Sequence, residues 1–409
     1  MSDYVDQTAT WVPSSAQETL LKIALAPAGE ALDAGVAWLE SLNLATQEEA
    51  LNRLLPLMHD KLLRDGVDHP AMRILQGVRR KVWCRNQVLF KHAVPAVQSL
   101  CDAGIDVMLL KGTVLTLNYY EDYGLRSMGD FDLMVRLTDV VAAIAILKEN
   151  GWKMRDGICD ASMHGVLGQN ILRYNHAEHF INDSRQNLDL HWHLLDLCLE
   201  TNADDSFWDA SIAGKFDSID VRLLNPADQL LHVCVHGLMW SDVPGIRWIP
   251  DSLAIIRKVP TLDWNRLLIQ AQDRDLRLFV RSALNYLVSR FSAPVPPEVM
   301  LAVNALPAEA DEAREFAVFT GSRSFNSTTI EKEYSILKTL RVRFYIFKRI
   351  AASARLSGIK IGVWGYLSAV CRMDNGWRTF VYILYRFAKM ASRSIRRVIF
   401  DSFESLTTG

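Results

Sequence analysis

Two aspartates flank a phenylalanine in Gly129-Asp130-Phe131-Asp132-Leu133, and apolar residues continue to Val135. Residues two apart on a strand share a face. Asp130 and Asp132 therefore stand side by side, and Phe131, Leu133 and Val135 take the opposite surface. This requires a strand with a buried apolar back and an acidic front. Adjacent carboxylates repel each other, so the pair is stable mainly beside a cation. A hard divalent ion with oxygen ligands is the natural candidate.

The period of the surrounding chain sets the context. From about residue 16 to 103, Leu and Ala recur at three- and four-residue steps, as in helices, and Gly104 supplies a stop to the best of them, Val78 to Cys101. Ile105–Leu110 then reads as a short strand, Thr113–Tyr120 as a helix and Phe131–Arg136 as a second strand. Thr138–Asn150 reads as a helix opened by a Thr cap and closed by Gly151. Glu178–Asn182 and Asn187–Leu194 resemble two antiparallel strands around an Asp183-Ser184-Arg185-Gln186 turn. The expected fold class is α+β, a small mixed-sheet core flanked by helical regions. The expected segments are a loose leader at 1–15, helices at 16–103, the core at 104–200, a helical second domain at 201–333 and a basic tail at 334–409.

A third acid extends the acidic front. In Asn187-Leu188-Asp189-Leu190-His191-Trp192-His193-Leu194, alternation puts Asp189, His191 and His193 on one face. A strand placed beside Phe131–Arg136 would bring Asp189 to Asp130 and Asp132. Three carboxylates together with substrate phosphate oxygens are what two Mg²⁺ ions require. Gly112 admits a phosphate close to the backbone, and a helix starting at Thr113 offers free N–H groups to an anion. Lys111 and Arg126 are cations flanking that point. Zinc at His191 and His193 is disfavoured, since the neighbouring carboxylates suit harder ions and no cysteine lies nearby. His191 is expected to orient Asp189 or to touch a phosphate. His232 and His236, one helical turn apart, read as packing residues.

These residues resemble a known group. Gly112-Thr113, Asp130-Phe131-Asp132 and a distant Asp189 are similar to the nucleotidyltransferase fold of the polymerase-β superfamily. The form Leu-Lys-Gly, Tyr119-Tyr120, Arg126, Asp-Phe-Asp-Leu and Asp-Leu-His-Trp resembles an uncharacterised bacterial nucleotidyltransferase family over about residues 75–260, including His236 and Arg247-Trp248-Ile249-Pro250-Asp251. The resemblance implies two Mg²⁺ ions, or Mn²⁺ in their place, and transfer of a nucleoside monophosphate from an NTP such as ATP, with pyrophosphate release. Asp130, Asp132 and Asp189 would be the metal-binding catalytic acids. Lys111, Gly112, Thr113, Arg126 and His191 would hold the nucleotide, and Arg247 and Asp251 would reach its sugar or base. A binding module without turnover, or a phosphohydrolase using water, would draw on the same residues. The acceptor is open: a small molecule, sugar, peptide or protein.

Composition narrows the setting. Residues 334–409 carry 14 Lys and Arg against 3 Asp and Glu, and the first 333 residues carry 31 against 44. The aromatic and basic stretch Trp377 to Ile399 suits a solvated helix face, an anionic membrane surface or, less well, nucleic acid. Six scattered cysteines without a close pair favour reduced, buried thiols. No signal peptide or membrane span is visible, so the expected location is cytoplasmic, with peripheral contact to the inner membrane face through the tail.

Overall fold

The computed structural model describes residues 11–43, 49–155, 165–239, 246–320, 344–351 and 362–372. The chain divides into two compact units. The first comprises Met1–Lys153, His179–Trp192 and Asp204–Ser322, and the second Met154–Glu178, His193–Ala203 and Arg323–Gly409.

The first unit opens with α1 (Ser15–Leu25), α2 (Leu32–Ser41), α3 (Glu49–Asn52), α4 (Leu55–Arg64) and α5 (Met72–Asp102). A reciprocal cap starts α1: Gln17 N donates to Ser14 Oγ at 3.3 Å, and Ser14 N donates to Gln17 Oε1 at 2.9 Å. Of the segment 1–15, expected as a leader, the structure describes only residues 11–15. Trp11 is 5% exposed and meets Trp248 and Tyr286 edge-on at 6.0 and 5.5 Å, because so large an apolar ring finds a place in the core. Gly104, at φ +76°, ends the α5 region as expected.

Seven strands follow: β1 (Met108–Leu109), β2 (Phe131–Met134), β3 (Trp152–Met154), β4 (Ala177–Asn182), β5 (Asn187–His191), β6 (Ile212–Phe216) and β7 (Ile219–Leu223). Their order is β3-β4-β5-β2-β1-β7-β6. β2 runs parallel to β5 and antiparallel to β1, and β1 runs parallel to β7. The mixed sheet and flanking helices make the fold α+β, as the periodicity predicts. The back of β2 packs against α5 through Phe131 and Phe90 at 6.4 Å, and Phe131 also meets Phe216 at 5.0 Å.

The connecting helices are α6 (Lys111–Val114), α7 (Val140–Glu149), α8 (Val166–Tyr174) and α9 (Asp205–Asp209). α10 (Pro226–Met239), α11 (Trp248–Lys258), α12 (Trp264–Asp273), α13 (Arg277–Phe291), α14 (Pro297–Ala305) and α15 (Ala310–Thr320) complete the first unit. Three expectations need correction. The segment 201–333, expected to be helical, is not so throughout, since β6 and β7 lie there. Ile219, Val221 and Leu223 are buried in alternation with Asp220 and Arg222, and Asp217, at φ +56°, makes the turn. The helix after Gly112 starts at Lys111 and passes into a π-helix, Leu115–Tyr119. The Thr138 hydroxyl meets Asp139 Oδ1 rather than capping α7, and a short 3₁₀ turn, Leu137–Asp139, precedes that helix.

In the second unit, α8 packs on the helix Val363–Cys371 through Tyr174 and Tyr366 at 5.6 Å, and Arg372 Nη1 reaches both Glu178 oxygens at 2.9 Å. The basic stretch Trp377–Ile399 lies outside the described residues. Among those described, no helix is long and apolar enough to cross a membrane. The five described cysteines are free, and only Cys198 and Cys234 are buried; Cys84 is exposed.

Candidate active site

The register of β2 against β5 assembles the acids. Asp132 pairs with Asp189 and Met134 with His191, so alternation turns Asp132, Asp189 and His191 to one face. They are 2, 7 and 1% exposed. One ligand atom from each lies within 4.8 Å of the others, a grouping able to hold a metal ion. Asp130, just ahead of β2, is partly exposed. The charge of Asp132, then burial, then Asp189 push its carboxyl up to about 6.

Lys111 is the counter-charge. Its Nζ donates to Asp132 Oδ1 at 2.8 Å and lies 3.2 Å from His191 Nε2, which is itself 3.2 Å from the same oxygen. Burial pushes Asp132 up, but the charge of Lys111 and the contact with His191 outweigh it and hold the carboxyl well below its ordinary range. Burial, followed by the Lys111 charge, lowers His191, so its imidazole is neutral. Lys111 adopts φ +42°, a conformation that side chains with a Cβ rarely take. The left-handed residue at the strand-to-helix junction is thus the lysine and not Gly112.

Gly112 is needed for a different reason. A Cβ there would lie 2.5 Å from Arg126 Nη1. Arg126 is 9% exposed and forms a two-pronged pair with Asp251: Nε to Oδ1 and Nη2 to Oδ2, both 2.8 Å. Tyr120 donates its hydroxyl to Asp251 Oδ1 at 2.8 Å. Arg126, expected to be free for triphosphate oxygens, therefore has two of its three nitrogens engaged. Asp251, expected to reach the nucleotide beside Arg247, is 4% exposed and pairs with Arg126 instead. Arg247 Nη1 donates to Ser127 O at 2.8 Å, and burial, then the Arg126 charge, bring its guanidinium down to about 10. Thr113 is fully buried, which leaves its hydroxyl inaccessible to a ligand.

Asn86 on α5 ties this loop down. Its Nδ2 donates to Tyr123 O at 2.6 Å and Arg126 O at 2.8 Å, and Met128 N donates to its Oδ1 at 3.3 Å. His179 on β4 was missed by sequence reasoning. Its Nδ1 is 2.7 Å from Asp189 Oδ1, and period-two alternation in Ala177–Asn182 was the available signal. His193 falls beyond the end of β5, and its N donates to His176 O at 3.2 Å. His232 is buried and His236 exposed, with ring centroids 6.1 Å apart.

Asp132, Asp189 and the neutral His191 imidazole form a donor set that fits a divalent cation, and Asp130 is close enough to feel the charge of both acids. The proton-holding tendency of Asp130 points the same way, because it reports uncompensated negative charge. Residues 34–292 match the model of a family described as uncharacterised nucleotidyltransferase, a stretch that includes all the acids and both arginines. The chain belongs to that family. No curated protein matches it. Family membership makes this chain a nucleotidyltransferase.

Proposed function

We propose that the enzyme transfers a nucleoside monophosphate from an NTP to an acceptor hydroxyl, with Mg²⁺, or Mn²⁺ in its place, held by Asp130, Asp132 and Asp189. The observation that carries this reading is the side-by-side placement of Asp132 and Asp189 on parallel strands. The cation, when bound, neutralises charge on the phosphates. Lys111, at the edge of the cluster with its side chain 21% exposed, is the cation we assign to the triphosphate. Arg126 and Asp251 fix the loop that carries Asp130, and Gly112 keeps its main chain against that clamp. His191 orients Asp132. The acceptor oxygen bonds to the α-phosphorus, the bond to the bridging α–β oxygen breaks, and pyrophosphate leaves. Asp189 takes up the acceptor proton or passes it to solvent.

The test incubates the chain with each α-labelled NTP, Mg²⁺ or Mn²⁺ and candidate acceptors, alongside Asp132→Asn. Labelled adduct and pyrophosphate are expected from the wild type, with a loss of about 10²–10³-fold or more in the variant, the size seen when charge stabilisation is removed. Free nucleotide without adduct would identify a phosphohydrolase. Nucleotide binding without turnover would identify a binding module.

A further inference from the structure

Helix α5 has a charge pattern unlike the rest of its unit. No acidic residue occurs between Met72 and Cys101, in a stretch of chain where acids otherwise outnumber bases. Six basic residues occur there: Arg73, Arg79, Arg80, Lys81, Arg85 and Lys91. Arg79 is used internally, paired with Asp60 and Asp122 at 3.2 Å each. The other five are exposed, and among the described residues none makes an ion pair. At 3.6 residues per turn, Arg73, Arg80 and Lys91 fall on one line about 27 Å long, and Lys81 and Arg85 lie about 80° and about 120° around the exposed side of the helix from it. Trp83, 45% exposed, stands beside the ridge.

We propose that this face of α5 binds the phosphate backbone of a polynucleotide. Evenly distributed cations with no acid among them fit a row of phosphates. The exposed indole of Trp83 offers a surface on which a base can stack. A membrane is the poorer partner. The apolar side of the helix (Leu75, Val82, Leu89, Phe90, Ala93) is already buried in the core, and Lys81 interrupts the line between the exposed Ile74 and Val88, so no continuous apolar stripe remains to insert. The position also favours a polymer over a small anion. Phe90 packs behind Phe131, which places α5 on the sheet face opposite the acids, and Asn86 joins the helix to the loop leading into Asp130. A strand long enough to pass around that loop can touch both the ridge and the acids; a small molecule cannot. Binding at the ridge stands by itself, whereas the role of the polynucleotide as acceptor rests on the transfer reaction proposed above.

The test uses the full chain and a fluorescent RNA of about 20 nucleotides, with affinity measured across a salt series. Wild-type binding is expected to weaken with salt at a log–log slope of about −0.7 per phosphate contact. Arg80→Glu/Lys81→Glu/Arg85→Glu is expected to lose at least about tenfold in affinity at low salt, with its melting temperature unchanged because the three sites are exposed. Equal binding by the triple variant, no binding by the wild type, or ridge-dependent binding to anionic vesicles without RNA binding would each overturn the proposal. Ridge-dependent binding with no nucleotide added to the RNA would uphold the surface and count only against RNA as acceptor.

Discussion

The first unit holds two charged clusters built on opposite plans. Around Asp251 the charges balance: one guanidinium faces one carboxylate through two 2.8 Å bonds, and a tyrosine hydroxyl occupies a further acceptor position. Around Asp132 they do not. Asp130, Asp132 and Asp189 have a single ammonium among them, the Arg247 guanidinium offsets the repulsion on Asp130 only in part, and the surplus keeps a proton on Asp130 up to about pH 6. Charges that hold a fold together are matched in place, because an unmatched buried charge costs several kcal/mol. Charges that await a ligand are left in excess, and their repulsion is tolerated for the sake of what they bind. The contrast separates the two clusters by balance of charge, although both contain buried carboxylates.

The largest expected effect comes from unbalancing the matched cluster. Asp251→Ala would leave Arg126, 9% exposed, without its partner and strand the Tyr120 hydroxyl, at a cost of about 3–5 kcal/mol in urea unfolding. Adding Arg126→Met should recover part of that loss, since the double variant buries no lone charge. A loss below about 1 kcal/mol in the single variant, against the several kcal/mol of a broken buried pair, would show that the clamp is not the anchor described here.

The two clusters were unequally legible in the sequence. Asp130, Asp132 and Asp189 could be read because strand alternation is local, and each strand declared its acidic face within a few residues. Their meeting needed only one further fact, that β2 and β5 are neighbours. The Arg126–Asp251 pair could not be read, because it joins positions 125 residues apart and depends on how α11 packs against the π-helix. Lys111 was legible as a cation near a phosphate site but not as the residue at positive φ, where the adjacent glycine was the better guess. β7 had the right alternation and β6, Ile212-Ala213-Gly214-Lys215-Phe216, did not, and with five residues each both were submerged in a helical stretch.

A smaller effect tests whether the clamp reaches the start of α6. Gly112→Ala would set a methyl 2.5 Å from Arg126 Nη1, on a guanidinium that Asp251 holds at both other nitrogens. The expected cost is about 1–3 kcal/mol, the range for overpacking. In an Asp251→Ala background the arginine can move aside, so the same substitution should cost measurably less. Additive costs would mean that Gly112 answers to another neighbour, such as Met128.

The smallest effect probes the unbalanced cluster through pH. An ordinary carboxyl titrates near 4, and Asp130 titrates at about 6 in the folded chain. Between those values the folded state holds a proton that the unfolded state has released, so stability falls as pH rises through the window and stays lower above it. Asp130→Asn removes the repelled charge. Without metal it should therefore be more stable than the wild type above pH 6, by about 1–2 kcal/mol given partial exposure, and indistinguishable near pH 4. Thermal unfolding at several pH values measures the gap. Mg²⁺ should narrow it by stabilising only the chain that keeps all three carboxylates. A gap of the same size at every pH would mean that Asp130 is not repelled by its neighbours, and the acidic face would then be as balanced as the clamp.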